Sequence, residues 1–270
     1  MKNSLLIIVS LLCLTLQAQP YSVLSRRITT QSYQIGMGSV SILDTYLTPE
    51  RFTGTSLAGL STVERQRIGS DWSTLMQHQL QVAQASDRAQ HEAMLEATYN
   101  FFWGRYYGWY LMDGALLLQG GATANAALGA LYHTRSNANN PAQARLSLLL
   151  MPSAIATWRT PGLHGRLTVR YELDIPLVGL MFSPNYGQSY YEMFALGNYD
   201  HNVVPVTTFS SPTFRQQLTV RYTLSPLTTL SFGYLGDYSQ SQVNHLKQHV
   251  RSHHIMVGIT RRFQLINHRL

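Results

Sequence analysis

The sequence predicts an all-β protein, a transmembrane antiparallel β-barrel of about 12 strands, with ~10–14 strands compatible with the pattern. Three observations predict this class. Long runs of residues alternate between polar and apolar side chains, the composition is poor in charge and rich in tyrosine, and the N-terminus has the features of a secretion signal.

The alternation is clearest in the segment RLTVRYELDI at 166–175. Every second residue is apolar, and the positions between them hold arginine, threonine, glutamate and aspartate. Because successive side chains of a strand point to opposite faces, this segment is predicted to be a strand with one apolar and one polar face. The same pattern recurs at 91–103, 217–224 and 254–263.

A soluble β-sandwich also alternates, but its turns come every ~8–12 residues. Here the alternating runs are about ten residues or longer, and several end in aromatic residues, as in WGRYYGWY at 103–110. A membrane barrel requires tilted strands of ~9–11 residues, aromatic girdles and a polar interior. Only a closed barrel leaves no strand edge unpaired in lipid. The sequence therefore favours the barrel over the sandwich.

Turn-forming residues separate many of the alternating runs, for example Ser211–Pro212 and Ser225–Pro226. With these turns as boundaries, the sequence predicts an even number of strands, as expected for a single-chain barrel. The predicted strands lie near residues 32–45, 55–67, 73–84, 91–105, 114–123, 126–136, 143–157, 165–176, 203–210, 213–224, 228–240 and 250–265.

The N-terminus predicts secretion. Lys2 precedes an apolar run from Leu5 to Leu16, and Ala18 supplies a small residue for cleavage, so residues 1–18 are predicted to be a signal peptide. Residues 19–30 are predicted to form a short periplasmic lead, and residues 31–270 the barrel. The apolar run is too short to cross a ~30 Å hydrocarbon core. The predicted location is the outer membrane, reached after cleavage of the signal peptide.

Composition restricts the partners and cofactors. Only 12% of residues are charged and 16 are tyrosine, which suits a surface that meets lipid. The net charge is +7, but the basic residues are scattered singly, so no nucleic-acid partner is expected. No cofactor is predicted, and the single cysteine, Cys13, falls in the signal peptide. Outer-membrane lipid and lipopolysaccharide are the expected partners, with a small-molecule ligand as a further hypothesis. The oligomeric state stays open.

The predicted inner faces carry charges of both signs, which must be paired or hydrated. Pairing across a narrow lumen would close the barrel, whereas a water-filled lumen would use the same charges for selectivity. The signs balance along each strand, which favours the structural interpretation. The predicted lumen charge network consists of Glu92, Glu96, Arg145, Arg166, Arg170, Glu172, Asp174, Arg221, Asp237 and Arg262.

A hydrolase acting on membrane lipid is the alternative function. It would need a histidine, a serine and a carboxyl or amide group together on the outward surface. The nearest candidates, His133 and Ser136, are three residues apart and point to opposite faces of a strand unless a bulge intervenes. Glu92 and Glu96 would lie ~13 Å apart, too far to act on one bond. No catalytic residue is assigned, and a non-enzymatic protein is favoured.

A histidine-rich segment precedes the last predicted strand. His245, His249 and His253 are spaced by four, which on a helix would stack three imidazoles that could bind a metal. No carboxylate lies nearby in the sequence, and Lys247 and Arg251 would repel a cation. No metal site is therefore predicted, and an extracellular loop facing lipopolysaccharide is favoured.

Residues 176–202 are predicted to be a plug inserted in the lumen. Ser189 and Glu192 are spaced as a capping box, which predicts a short helix that ends at Gly197. The predicted strand count puts this long connection on the periplasmic side, where turns are short, so it should fold back into the barrel. A miscount by one strand would instead make it an external binding loop. The candidate plug residues are Pro184, Asn185, Tyr186, Gly187, Ser189, Tyr190, Tyr191 and Glu192.

Three motifs carry a resemblance: DTYLTP at 44–49, NNPAQA at 139–144 and SPNYGQSYYE at 183–192. With them the chain resembles a family of bacterial outer-membrane β-barrel proteins catalogued as a domain of unknown function. The resemblance spans most of the mature chain and implies a barrel fold, but no activity, cofactor or catalytic residue. The predicted function is a channel, transport or structural barrel with an internal plug.

Overall fold

The computed structural model describes residues 27–134, 140–161 and 165–265, with side chains to residue 263. The predicted signal peptide at 1–18 lies outside the described residues, as do Ser136 and most of the predicted lead at 19–30. The first strand begins at Arg27, inside that predicted lead. None of the helices in the described part of the chain is long or apolar enough to cross a membrane.

The described residues form twelve strands, one short α-helix and one 3-10 turn. The helix α1 spans Tyr190–Phe194, and the 3-10 turn spans Met112–Gly114. The strands are β1 (Arg27–Asp44), β2 (Thr48–Arg67), β3 (Trp72–Ser86), β4 (Ala93–Leu111), β5 (Leu116–His133), β6 (Ala142–Arg159), β7 (Leu167–Asp174), β8 (Val178–Phe182), β9 (Val203–Thr207), β10 (Phe214–Ser225), β11 (Thr228–Val243) and β12 (Leu246–Leu265).

Ten antiparallel strands close into a barrel, which confirms the predicted fold class. Strands β1 to β7 pair in chain order, β7 pairs with β10, and β12 returns to β1. The short strands β8 and β9 stay outside this ring. β7 pairs with the second half of β6, and β8 pairs with β6 at 147–150. The partner changes beside Pro152, whose lack of an N–H makes an uninterrupted ladder impossible there.

The predicted total of about 12 strands agrees with the structure because two local errors compensate. The prediction divided β5 into 114–123 and 126–136, since the small residues of GGATANAALG weaken the alternation. The structure has one continuous strand, Leu116–His133. The prediction also missed β8, whose flank at 176–182 has no alternation.

The strand count decides at which end the long connection at 175–213 lies. Seven strands precede it, an odd number, so it leaves the barrel at the end opposite β1's first residue and β12's last residue. The prediction counted eight strands before this connection, which would have put it at the same end as the chain termini, whereas the structure has seven. Below, the end that carries the connection is called the cap end, and the end where β1 begins and β12 finishes is called the terminus end.

The predicted faces of the strands are confirmed. In β7, Arg170, Glu172 and Asp174 are buried, whereas Tyr171 between them is 37% exposed. In β12, His254 is 1% exposed and the next residue, Ile255, is 60% exposed. Polar side chains thus occupy much of the inside, together with apolar clusters such as Val40, Ile42 and Phe52 near the cap end. The outside is covered by apolar side chains, which is the arrangement of a membrane barrel.

Aromatic side chains gather on the outer surface at the terminus end. Trp72, Trp109 and Tyr110 are exposed there. The ring of Tyr107 lies edge-on between Trp72 and Trp109, with centroids 5.4 and 5.1 Å apart. Amphipathic rings at this level of a barrel suit the boundary between lipid and water.

Gly38 marks a close approach of neighbouring strands inside the barrel. It pairs with Ser56 on β2 and with His254 on β12. A Cβ at this position would lie 1.6 Å from the backbone oxygen of His253. The side chains of Ser56 and His254 meet across the glycine, with Oγ and Nε2 2.7 Å apart. Any side chain at residue 38 would force the strands apart.

We expect Gly38→Ala to lower the free energy of unfolding by about 1–3 kcal/mol, because the added methyl group overpacks the wall. Gly59→Ala is the matched control, since a Cβ at Gly59 meets no atom within 4 Å. Urea unfolding of the protein refolded into phospholipid vesicles measures both. Equal stability of the two variants would contradict the close approach at Gly38.

Candidate functional site

An arginine at the cap end of the lumen joins three strands. Arg145 on β6 contacts Asp44 on β1 at 3.2 Å and Glu96 on β4 at 3.1 Å. Gln81 on β3 also donates a hydrogen bond to Glu96, at 3.1 Å. The three charged groups are largely buried. Because β1 and β4 lie on other parts of the barrel wall than β6, this cluster connects strands across the lumen.

A second arginine lies deeper in the lumen. Arg215 on β10 donates hydrogen bonds to Asp174 at 3.1 Å and to Gln79 at 2.9 Å. Gln79 in turn donates to Asp237 at 2.8 Å. The guanidinium carbon of Arg215 lies 4.7 Å from the ring centroid of Phe102, a cation–π contact. One arginine thus binds strands from opposite parts of the ring.

A third arginine lies nearer the terminus end. Arg170 on β7 contacts Glu172 at 2.7 Å and Glu64 on β2 at 3.1 Å. Gln77 on β3 donates to the other oxygen of Glu172 at 3.0 Å. Charge-assisted hydrogen bonds of this kind are the strong ones in a protein interior.

The predicted charge network divides in the structure. Six of its residues lie in the three arginine clusters: Glu96, Arg145, Arg170, Glu172, Asp174 and Asp237. Glu92 lies before β4 and pairs with His133 at 3.0 Å. Arg166 is exposed just before β7. Arg221 and Arg262 line a vestibule at the terminus end, next to the cluster of Arg170.

The sequence prediction did not name Asp44, Glu64 and Arg215, although each pairs in a cluster. A signal was present for Arg215. It is separated by an even number of residues from Arg221, so the alternation of this strand puts both on the polar face. Asp44 and Glu64 lie near strand ends, where the pattern is short.

The lumen between the first two clusters encloses a cavity of about 90 Å³. Its lining includes Glu96, Arg145, Arg215 and Asp237. The Arg215 side chain is 2% exposed and that of Arg170 is 4% exposed. Side chains on the wall of an open aqueous pore would be hydrated and exposed, so these two levels of the lumen are filled by protein.

Residues 183–202, called here the cap segment, lie across the mouth at the cap end. Tyr46 in the β1–β2 turn donates to the backbone oxygen of Gln188 at 2.9 Å. The hydroxyl of Tyr190 accepts a hydrogen bond from the backbone of Ala144, at the start of β6. Asn244, in the β11–β12 turn, donates to the backbone oxygen of Ser183 at 3.0 Å. These three contacts lie on different parts of the rim, so the segment spans the opening.

The predicted lumen insertion of 176–202 is corrected by these contacts. Residues Val178–Phe182 form strand β8, and the cap segment lies on the rim. Its aromatic residues were expected to be buried, but Tyr186, Tyr191, Phe194 and Tyr199 are each more than 60% exposed. The remaining predicted plug residues, Pro184, Asn185, Gly187, Ser189, Tyr190 and Glu192, belong to the same cap segment.

The predicted capping box is present at the start of α1. The backbone N–H of Glu192 donates to Ser189 Oγ at 3.1 Å, and that of Ser189 donates to Glu192 Oε2 at 2.7 Å. The helix ends at Phe194, earlier than the predicted Gly197, which instead has a positive φ of 73°. Burial raises the pKa of Tyr46 to about 12 and also raises that of Tyr190, so both hydroxyls stay protonated at neutral pH.

Of the two hydrolytic candidates, His133 and Ser136, only His133 lies among the described residues. His133 points into the barrel, where its ring packs edge-on against Phe52. The hydrogen-bonded pair of Ser56 and His254, which the sequence prediction missed, is also buried. Among the described groups, Nδ1 of His254 has no hydrogen-bond partner, so no carboxylate orients the ring as in a catalytic triad.

His245 lies in the turn before β12, but His249, His253 and His254 belong to the strand itself, which corrects most of the predicted loop. His249 and His253 therefore point outward and His254 points inward, so the helical spacing has no structural counterpart. Within the described ranges, no group of three His, Cys, Asp or Glu residues is arranged to hold a metal ion.

A vestibule of about 350 Å³ opens at the terminus end. Arg159, Arg170, Arg221 and Arg262 line it together with one carboxylate, that of Glu64. The other lining residues include six threonines: Thr30, Thr157, Thr168, Thr223, Thr229 and Thr260.

The closed ring, polar lumen and apolar exterior define a β-barrel of the outer-membrane type. The chain belongs to the family described as "Protein of unknown function (DUF3316)", which it matches over residues 4–270. This agrees with the resemblance carried by the three sequence motifs. A comparison with curated protein sequences gave no match.

Solved structures similar to the chain include several outer-membrane barrels. The outer membrane protease OmpT from Escherichia coli is 8% identical with a TM-score of 0.48, covering 91% of this chain and 99% of its own. Neisserial surface protein A is 10% identical with a TM-score of 0.36, covering 87% of this chain and 97% of its own. An outer membrane channel from Pseudomonas putida F1 is 10% identical with a TM-score of 0.37, covering 92% of this chain and all of its own. Their named functions differ, so the likeness indicates no activity.

We expect Arg215→Ala to lower the free energy of unfolding by about 3–5 kcal/mol, because it leaves the carboxylates of Asp174 and Asp237 buried without a cation. Arg65→Ala, at an exposed position of β2, is the control and should stay within ~0.5 kcal/mol of wild type. Urea unfolding in vesicles measures both. A decrease in the free energy of unfolding of less than about 1 kcal/mol, the level of a surface ion pair, would show that this cluster does not act as a buried ion-pair network.

Proposed function

We propose that this protein is an outer-membrane barrel that is closed at rest, with a structural or ligand-binding role rather than that of an open pore. The observation that carries the proposal is the set of three arginine clusters centred on Arg145, Arg215 and Arg170. Each cluster crosses the lumen from one strand to another, and the side chains of Arg215 and Arg170 are almost fully buried. Ions would have to break these contacts to pass.

The proposed orientation has the terminus end in the periplasm and the cap end outside the cell. Outer-membrane barrels have short turns on the periplasmic side and longer loops on the extracellular side. The β10–β11 turn at the terminus end has two residues, 226–227, whereas the long connection at 175–213 lies at the cap end. A predicted signal peptide at the N-terminus is compatible with this direction of insertion.

Lipopolysaccharide is the proposed lipid partner of the outer surface. Near the cap end, Arg51 on β2 and Lys247 and Arg251 on β12 are exposed on the two strands that flank β1. His249 lies between Lys247 and Arg251 on β12. The register brings Arg51 and His249 to opposite sides of Leu43 on β1. Apolar residues such as Ile255 lie just below, toward the middle of the strands. Cations above an apolar band suit the phosphates and acyl chains of this lipid.

Lipid hydrolysis, the alternative function, receives no support from the geometry. The described histidines that contact a serine or a carboxylate inside the barrel, His254 and His133, are buried. A lipid substrate would meet the outer face, where His78 and His253 contact tyrosine hydroxyls instead. The binding and structural roles are therefore preferred.

We expect no ion conductance from the wild-type protein in planar bilayers, because the arginine clusters fill the lumen. Replacing residues 185–200 by Gly-Gly should also give none, since the cap lies above the clusters. The replacement is sterically simple, because the backbone N–H of Ser183 and the oxygen of Asn202 are 2.9 Å apart. Conductance of the wild type would support a channel, and conductance after cap replacement alone would support a plug.

We expect Lys247→Gln with Arg251→Gln to weaken binding of fluorescent lipopolysaccharide by about 10- to 30-fold, at ~1 kcal/mol for each cation. The matched control is Arg65→Gln with Arg261→Gln, two exposed arginines near the terminus end. Fluorescence anisotropy in a zwitterionic detergent measures the affinity. Equal loss in both double variants would indicate non-specific charge attraction and overturn the proposed site.

A further inference from the structure

The vestibule at the terminus end has an excess of positive charge. Arg170 is compensated by its contacts with Glu64 and Glu172. Arg159, Arg221 and Arg262 make no ion pair within the part of the chain that the structure describes. The excess comes from strands β6, β10 and β12, whose side chains converge on one space of about 350 Å³.

Several polar atoms of this space are buried without a hydrogen-bond partner among the described protein groups. They are Nη2 of Arg170, Nε of Arg221 and Oγ1 of Thr157. All three can donate a hydrogen bond, and buried polar atoms that remain unsatisfied are costly to a folded protein. A ligand that satisfies them must present acceptor atoms and negative charge.

The balance of positive and negative charge in the vestibule differs from that in the rest of the lumen. In the lumen clusters, each arginine contacts a carboxylate, and the deeper cavity near Arg145 and Arg215 has Glu96 and Asp237 in its lining. In the vestibule, the single lining carboxylate, that of Glu64, already pairs with Arg170, so it does not balance Arg159, Arg221 and Arg262. The imbalance is therefore local to the opening at the terminus end and does not follow from the closure of the lumen.

We propose that the vestibule binds a small phosphate-type oxyanion, either free or as the phosphoryl group of a small metabolite. Guanidinium groups present paired N–H donors in a plane, which match two oxygens of a phosphate. Arg221 and Arg170 contribute their unpartnered donors, Thr157 contributes its hydroxyl, and Arg262 closes the site toward the opening. The site does not depend on whether the lumen conducts, so it stands apart from the function proposed above.

The probe is inorganic pyrophosphate, titrated into the refolded protein in a zwitterionic detergent and followed by isothermal titration calorimetry. We expect saturable binding with one site per chain. Arg262→Gln and Arg221→Gln should each weaken the affinity about tenfold or more, because each removes a charge-assisted hydrogen bond. Arg261→Gln should leave the affinity unchanged, because Arg261 neighbours Arg262 in sequence but lies on the outer face of β12.

A second variant protects the test against misfolding. Because Arg221 is largely enclosed, Arg221→Gln could disturb the fold. Thr157→Val is therefore made as a separate single variant, which keeps the shape of the side chain and removes its hydroxyl. Weaker binding by Thr157→Val, with the fold intact by circular dichroism, supports the site. Absence of saturable binding by the wild type would overturn the proposal. So would an equal loss of affinity in Arg261→Gln and Arg262→Gln, which would indicate general charge attraction.

Discussion

The pairing of β1 with β12 is the interaction on which the rest of this structure depends. It runs along β1 from Arg27, opposite Leu265, to Asp44, opposite Gln248, and it joins the two ends of the sheet. Inside a bilayer, unpaired backbone groups cannot turn to water, so only a closed sheet is stable there. Closure after ten strands also sets the width of the lumen. At this width, an arginine on one wall reaches carboxylates on others.

The narrow lumen explains why its polar residues form ties rather than a pore lining. A buried charge is costly unless it is paired and hydrogen-bonded. Arg215 therefore uses Asp174, Gln79 and the face of Phe102, and Arg170 uses Glu64 and Glu172. The strands are fixed to one another through the lumen as well as along their backbones. The proposed closed resting state follows from this filling.

The two ends of the barrel differ in how they meet water. At the cap end, the mouth is covered by residues 183–202, whose own hydrogen bonds reach the rim at Tyr46, Ala144 and Asn244. At the terminus end, the lumen opens into a vestibule rich in arginine and threonine. A ligand that enters from the terminus end would meet Arg262 first and stop at the cluster around Arg170. The two ends therefore differ in chemistry: buried apolar side chains such as Ile42 and Phe52 lie near the cap end, whereas arginine and threonine line the opening at the terminus end.

The sequence by itself determined the class of fold and which side chains face inward, because the two-residue period of a strand is a local property. Arg170, Glu172 and Asp174 could be assigned to the interior from their spacing, and the capping box at Ser189 and Glu192 is equally local. The local pattern failed where glycine and alanine hid the continuity of β5 and where β8 lacked alternation. That error reversed the end at which the cap segment was expected. The partners of Arg215, Arg145 and His254 come from strands distant in the chain, so they were decided only by the register of the closed barrel.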